Sequence, residues 1–332
     1  MSSELGATNL ERQIRSQPDV LADLLDSATV RQQIHEASEG LARARRIWMV
    51  GTGTSQHAAA LGAAMLQEAG RSAHAVSSMQ FVRNAPIVGQ QDAVIVITHT
   101  AETAYALAAR SLAFQAGLDV LMVTKKKSGF PDAIETCEKE TSETYTVSYT
   151  TALLALAMLA AQVGAESITP DKLALVPGSV RDAIEASGTD DIGVPGRLLT
   201  IIGAGPASVT AREGALKVRE AARLPAEGFD AEYFLHGSAV PLTPDDQLVA
   251  LTTPDQDGFV EGVAHAAEAE GIGVARVGEP APLASLLAQI PLTVRLQLLS
   301  LRFATSRGQD PDKVIVGAWD DPGLWSIGSP GT

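Results

Sequence analysis

Ile47-Trp48-Met49-Val50-Gly51-Thr52-Gly53-Thr54-Ser55 runs from four apolar residues into a turn of glycines and hydroxyls, and an alanine-rich segment, His57–Ala69, follows. A short apolar run closed by glycine reads as a strand buried on both faces, and the segment after it as a helix laid back on that strand. The pattern recurs. Val94–Ile97 leads into Thr98-His99-Thr100-Ala101-Glu102-Thr103 and another helix, Val120–Val123 is a third strand, and Tyr149–Ala161 is a long apolar helix. Strands alternating with helices predict an α/β fold with a parallel, doubly wound, flavodoxin-like sheet.

Outward from this core, the first forty residues read as helix, with Pro18 starting or kinking a segment whose apolar positions include Val20, Leu21, Leu24 and Leu25. Beyond Gly164 a polar connection with one helix near Val180–Ala186 leads to about Gly196. The pattern then restarts: Leu198–Ile202 ends in Gly203-Ala204-Gly205, a helix begins near Ala207, Leu248–Leu251 ends in Thr252-Thr253, Val274–Val277 is a strand, and Leu292–Thr305 is a closing helix. An order of elements repeated at an offset of about 150 residues predicts a duplication. The expected division is a helical segment 1–40, a first domain 41–166, a linker with a helix 167–196, a second domain 197–305 and a tail 306–332 that covers the site.

Composition narrows the function. Hydrophobic residues make up 45% and aromatics 4%, so the core is aliphatic. No stretch approaches the roughly 18 apolar residues that span a bilayer, and the opening Met1–Gln13 lacks the basic and apolar parts of a signal peptide, so a cytoplasmic protein is expected. One cysteine, Cys137, excludes an internal disulfide and a cysteine-based metal cluster, and is expected to be inert. His35, His57, His74 and His265 show no metal-ligand spacing; neither metal nor cofactor is expected. A formal net charge of −14 argues against nucleic acid. It also repels anionic substrates, so a phosphate would need a local pocket of hydroxyls, backbone N–H groups and a helix N-terminus.

Two loops have that character. Gly51–Ser55 and Thr98–Thr103 each follow a strand and precede a helix, where such sheets bind ligands. Thr54, Ser55, Thr98, Thr100 and Thr103 are candidates to grip a phosphate without an arginine; the alternative is that they only cap helices. The spacing in Gly51–Ser55 is not that of a dinucleotide fingerprint. A different constellation stands in the second half. Glu213-Gly214-Ala215-Leu216-Lys217-Val218-Arg219-Glu220 puts Glu213, Lys217 and Glu220 on one helical face, and His236 follows in Glu232-Tyr233-Phe234-Leu235-His236-Gly237-Ser238. A carboxylate and an imidazole are what aldose–ketose chemistry requires: one opens the ring, the other carries a proton between C1 and C2, and an ammonium steadies the developing oxyanion. The plain alternative is an ordinary helix ion pair and an uninvolved histidine.

Gly53-Thr54-Ser55, Thr98–Thr103, Glu213–Glu220 and Phe234-Leu235-His236-Gly237 together resemble the double sugar-isomerase (SIS) domain family, over about residues 10–310. That family includes the isomerase half of glucosamine-6-phosphate synthase, glucosamine-6-phosphate deaminases and fructosamine-6-phosphate deglycases. Gln17-Pro18 is similar to the family's leading segment. The resemblance implies two tandem SIS domains. It places Ser55, Thr98, His99, Thr100 and Thr103 around the phosphate. Glu220 becomes the proton shuttle, Lys217 its support, and His236 the ring-opening group supplied by the neighbouring subunit of a homodimer. Glu143 and Thr146–Ser148, with Ser148 itself, match a segment lining the sugar, and Glu213 joins the substrate-facing set.

This sequence departs from the family in three places. Its phosphate loop carries Ala101 where the family has glycine, and the bulky His99 beside it. After Gly308-Gln309-Asp310-Pro311-Asp312, Lys313 comes too early to match the family's sugar-reaching lysine. The N-terminal cysteine and further residues of a glutaminase are lacking, so ammonia is not expected to come from glutamine. The expected activity is deamination and isomerisation of a hexosamine 6-phosphate. Fructosamine-phosphate deglycation and simple aldose–ketose isomerisation are the alternatives, and a sugar-phosphate sensor that binds without turnover is a further one. The expected partners are a small sugar phosphate and a second copy of the chain, with no nucleic acid and no membrane.

Overall fold

The computed structural model describes residues 7–84, 88–253, 258–279, 283–327 and 330; expectations about residues 1–6, and about the tail at 328–329 and 331–332, lie outside them. The chain opens with helices α1 (Asn9–Asp26) and α2 (Ala28–Arg43). Pro18 lies inside α1 rather than at its start; buried Leu10, Ile14, Leu21 and Leu24 keep the helix in place around it. Next come β1 (Arg46–Gly51), α3 (Thr54–Glu68), β2 (Ala73–Ser77), α4 (Ser78–Arg83), β3 (Asp92–Ile97), α5 (Ala104–Gln115), β4 (Asp119–Thr124), β5 (Ala133–Glu135) and α6 (Val147–Gln162). Then follow α7 (Pro170–Glu185), β6 (Leu199–Gly203), α8 (Pro206–Ala222), β7 (Ala226–Asp230), the single turn α9 (Ala231–Tyr233), β8 (Gln247–Thr252), α10 (Phe259–Ala269), β9 (Gly273–Gly278), α11 (Ser285–Ser306) and the short α12 (Pro322–Ile327).

The chain divides into two compact units. The first holds Asp19–Glu140, Val147–Leu175 and the residues from Ile315 on; the second holds the residues up to Pro18, Thr141–Thr146 and Val176–Val314. Neither is a contiguous block, which differs from the division at 40, 166, 196 and 305. The connection 167–196 is not simply a linker: α7 buries Leu173, Val176, Val180 and Ala183, and the boundary between units falls within it. In the tail, Trp319 is 72% and Trp325 59% exposed.

Both sheets are parallel, ordered β2-β1-β3-β4-β5 in the first unit and β7-β6-β8-β9 in the second. Central β3 is buried along its whole length, as expected of a β-branched run covered on both faces. In the first unit Val50, Val94, Val96 and Met122 pack with Ala106 and Ala109 of α5; in the second Ile202, Leu248 and Ala250 pack with Val260, Val263 and Ala264 of α10. The short edge strands β2, β5 and β7 were missed by the sequence reading. Ala226–Asp230, with a glycine and two acids, has little of the apolar content that marks a strand.

Two details repeat between the units. Gly53, ahead of α3, has φ 56° and ψ −129°, and Gly205, ahead of α8, has φ 53° and ψ −127°. That region is open to glycine and strained for other residues, so each strand-to-helix turn demands one. At the amino edge of the first sheet the Asp92 carboxylate takes Arg46 at 2.9 Å, the Trp48 indole N–H at 3.1 Å and the Gly89 N–H at 3.0 Å. At the same edge of the second, Asp246 takes Arg197 Nε at 2.9 Å, the Leu198 N–H at 3.1 Å and the Thr243 N–H at 2.7 Å. No described helix is long and apolar enough to cross a membrane.

Candidate functional site

In the order β2-β1-β3 the chain leaves β1 to one side and returns on the other, so the switch point of the first sheet lies between the carboxyl ends of β1 and β3. β1 and β3 are paired neighbours, and the two hydroxyl-rich loops stand side by side there. Thr54, Ser55, His99 and Ser148 line one small cleft. Thr98 is buried below it, with its hydroxyl 3.5 Å from that of Thr103. Thr103 precedes α5 but makes no capping bond, so its exposed hydroxyl does not serve the helix. Thr100 is engaged locally and accepts the Glu102 N–H at 3.2 Å. Ala101, where the resemblance has glycine, holds a left-handed φ of 58°.

His99 is fixed by a residue the sequence reading did not single out. Its Nε2 accepts the Glu140 N–H at 3.1 Å, while the Glu140 carboxylate takes the N–H groups of Val147 and Ser148 at 3.1 and 2.8 Å, at the head of α6. Burial holds the imidazole below its usual pKa, the Glu140 charge opposes this, and Lys125 and Lys139 reinforce it. His99 is therefore a neutral cleft wall with Nε2 as acceptor, not a cation for phosphate. A carboxylate seven residues ahead of the helix it caps leaves no short-range signal in the sequence. A larger hollow opens at the amino end of the same sheet; Glu36, Glu39, Asp119 and Asp132 line it with one cation, Arg43, a balance of the wrong sign for a phosphate.

In the second unit α8 brings Glu213, Lys217 and Glu220 together. The Lys217 Nζ lies 2.5 Å from Glu220 Oε2 and 3.4 Å from Glu213 Oε1. Lys217 and Glu213 are wholly buried, whereas the Glu220 side chain keeps 19% of its exposure. Gly214 lets this helix lie close to α11: a Cβ there would press on the end of the Leu296 side chain and come within 3.2 Å of its Cβ, so Leu296 would have to shift. Thr210 adds a hydrogen bond to Gln289 of α11 at 2.7 Å. Burial drives the Glu220 carboxyl above the usual range, Lys217 pulls it down, and the Glu213 charge adds to the rise. A partly exposed carboxyl with a raised pKa, backed by a buried ammonium, is equipped to accept and return a proton. Glu213, expected to face substrate, instead serves as buried counter-charge to Lys217.

His236 stands apart from this triad. It occupies a wide turn, Phe234–Ser238, whose Phe234 is anchored in the core and whose His236 and Gly237 leave helical geometry. Its imidazole is 75% exposed, and its ion-pair partner among the described residues is Glu232, at 3.9 Å. Tyr233, Leu235 and Val240 around it are exposed too. Glu143 is occupied by backbone: its Oε2 accepts the Val314 N–H at 2.7 Å, and its own N–H donates to the Asp312 carbonyl at 2.9 Å. Asp312 caps α1 through the N–H groups of Asn9 and Leu10, both at 2.7 Å. Lys313 is exposed. Among the described residues no group of three or more His, Cys, Asp or Glu side chains is arranged to hold a metal ion.

The fold and its carboxyl-edge cleft are those of a parallel α/β protein, and residues 40–162 match the SIS domain family. Over most of its length the chain is similar to the isomerizing glutamine–fructose-6-phosphate aminotransferase of Thermococcus kodakarensis, 29% identical over 342 residues, covering 91% of this chain and 56% of that protein. It thus spans little more than half of this relative. Among solved structures, the glucosamine-6-phosphate deaminase of Thermotoga maritima superposes with a TM-score of 0.80 at 17% identity, covering 92% of this chain and 97% of that one. The tagatose-6-phosphate ketose/aldose isomerase of Escherichia coli gives 0.81 at 20%, covering 93% and 96%. At such identities the structures establish likeness of fold.

Proposed function

We propose that this protein is a cytoplasmic sugar-phosphate enzyme of two tandem SIS domains, the second formed around the four-stranded sheet, and that it converts a hexosamine 6-phosphate to a ketose 6-phosphate and ammonia. The observation that carries this reading is the α8 triad, in which buried Lys217 backs a partly exposed Glu220 whose carboxyl is held above its usual range. The shared strand order, the paired Gly53 and Gly205 turns and the matching Asp92 and Asp246 clusters support the second domain.

In this reading the hydroxyls of Thr54, Ser55, Thr98, Thr103 and Ser148 hold the phosphate. His236 moves the proton that opens the ring, and a second copy of the chain presents it; its exposure amid Tyr233, Leu235 and Val240 suits a contact between copies. Glu220 takes the C2 proton of the open-chain amino sugar, which leaves an enolamine, and returns it to C1 to give a ketimine. Water adds to the ketimine and ammonia departs, so each turnover consumes one water. Lys217 keeps the Glu220 charge tolerable when the proton is absent.

Incubation with glucosamine 6-phosphate, assayed for ammonia and fructose 6-phosphate, tests the proposal. Both products are expected, in equal amounts. Interconversion of aldose and ketose phosphates without ammonia would replace it by an isomerase, and binding without turnover by a sensor.

A further inference from the structure

The lysines of this chain are unevenly placed: Lys125, Lys126, Lys127 and Lys139 fall within residues 125–139, and only Lys172, Lys217 and Lys313 lie elsewhere. Lys125–Lys127 leave the carboxyl end of β4 directly after Thr124, which lines the hydroxyl cleft. Their loop is held at both ends. The Lys125 N–H donates to the His99 carbonyl at 3.1 Å, and the Lys126 N–H to that of Cys137 at 2.7 Å. The Glu135 carboxylate takes the Ser128 N–H at 2.8 Å and its hydroxyl at 2.9 Å. Lys127 is one of three non-glycine residues with positive φ among the described residues, at 59°, a conformation that persists only where its surroundings impose it.

Glu135 is hydrogen-bonded to backbone and hydroxyl donors and feels the Lys125 charge without forming an ion pair with it, and Lys139 pairs with Glu102 at 2.9 Å. Among the described residues no carboxylate lies within ion-pair distance of the ammonium groups of Lys125, Lys126 or Lys127. Three cations that form no ion pair among the described residues, beside the hydroxyl cleft in a chain of net charge −14, locally oppose the repulsion that the whole molecule presents to a phosphate.

We propose that Lys125, Lys126 and Lys127 form a fixed cationic rim on the hydroxyl cleft that attracts and retains the phosphate of the substrate, which makes them specificity residues for phosphorylated sugars. This rests on the hydroxyl cleft holding phosphate, as set out under the proposed function. The test titrates inorganic phosphate, glucosamine 6-phosphate and unphosphorylated glucosamine into the whole chain, at low and high ionic strength. It compares wild type with Lys125→Ala, with Lys126→Ala/Lys127→Ala, and with the same positions changed to Arg.

Each lysine lost to alanine is expected to weaken both phosphate ligands about threefold to tenfold at low salt, the gap closing at high salt. Arginine is expected to restore the affinity, and glucosamine to be indifferent. Unchanged phosphate affinity in the alanine variants overturns the rim, as does an equal loss for glucosamine. If inorganic phosphate binds in a lysine-dependent way while glucosamine 6-phosphate does not bind, the rim stands and the substrate assignment falls. If wild type binds neither anion, both fall.

Discussion

The Lys217 ammonium lies 2.5 Å from the Glu220 carboxylate and 3.4 Å from that of Glu213, and all three charges ride on one helix. The ammonium stands between two carboxylates in a largely dry place. Replacing Lys217 by Met is expected to cost about 3–5 kcal/mol at neutral pH, because uncompensated buried charge remains. The loss has a definite pH dependence. Without Lys217 the folded-state pKa of Glu220 rises further above its unfolded value, so the variant binds more protons folded than unfolded. Its stability deficit shrinks as pH falls towards the ordinary glutamate range. Denaturant titrations of both proteins across acidic to neutral pH check this, and a pH-independent deficit would contradict it.

Glu220 itself is expected to decide turnover. Glu220→Gln keeps the shape and removes the proton carrier, so kcat should fall by about 10²–10⁴ while sugar-phosphate affinity holds within a few fold. Because burial and Glu213 hold this carboxyl high, the acid limb of kcat/KM in wild type should lie above the ordinary glutamate value of 4.5. Stopped assays with glucosamine 6-phosphate over a range of pH give both quantities. Full activity in Glu220→Gln would remove the residue from the mechanism.

How much of this was readable beforehand follows from the range of each signal. The strands β1, β3, β6 and β8 announce themselves because burial on both faces demands a continuous apolar run, and β4 and β9, though partly exposed, keep enough valine to read as strands. The spacing of Glu213, Lys217 and Glu220 is local, three and four residues on one helix, so their meeting was legible. Their burial was not: nothing in Glu-x-x-x-Lys distinguishes a surface pair from one sealed by the approach of α11 at Gly214. Contacts closed over distance were also illegible. Asp312 caps α1 from 302 residues away, and the Glu140 cap on α6 depends on how the intervening loop folds. The lysine run at 125–127 was visible, but its meaning requires knowing that β4 ends beside the hydroxyl cleft.

Asp92 and Asp246 predict how acid unfolds the protein. Burial alone would raise both carboxyls, yet Arg46 with the Gly89 and Trp48 donors pulls Asp92 below its usual range, and Arg197 with Thr243 does the same for Asp246. A folded pKa below the unfolded one stabilises above the unfolded value and loses that contribution as pH falls through the folded one. Asp246→Asn is expected to cost about 2 kcal/mol at neutral pH, since several charge-assisted bonds weaken at once. The cost should fade below pH 3.8, the ordinary aspartate value, where the wild-type carboxyl also begins to protonate. Thermal melts of both proteins at neutral and strongly acidic pH measure it; a cost that grows on acidification would be the wrong sign.

Cys137 is expected to be silent. Burial pushes its thiol up to about 11, outweighing the Thr151 and Thr136 hydroxyls and the Lys126 charge that pull it down, and its sulfur lies 3.9 Å from the Thr136 hydroxyl. Only the thiolate attacks disulfide reagents, so Ellman's reagent should leave the folded protein unlabelled near neutral pH and modify one thiol on unfolding. Rapid labelling of the folded chain would show that this part of the first unit opens far more readily than its packing implies.

Ala101 carries the clearest cost in the candidate phosphate loop. Its φ of 58° puts a Cβ where an L-residue is disfavoured by about 1–2 kcal/mol. Glycine removes that strain but loosens the unfolded chain, at about 0.5–1 kcal/mol. The difference leaves Ala101→Gly between neutral and about 1 kcal/mol more stable. Valine, with a branched Cβ in the same conformation, should instead lose about 1–2 kcal/mol or force the loop to change shape. Since Thr98 and Thr103 flank this turn, a reshaped loop should also bind inorganic phosphate less well, whereas the glycine variant should bind it as the wild type does. Melting curves and phosphate titrations on the two variants separate these effects. Equal destabilisation by glycine and valine would mean that Ala101 is held by contacts of its methyl group and not by the conformation of its backbone.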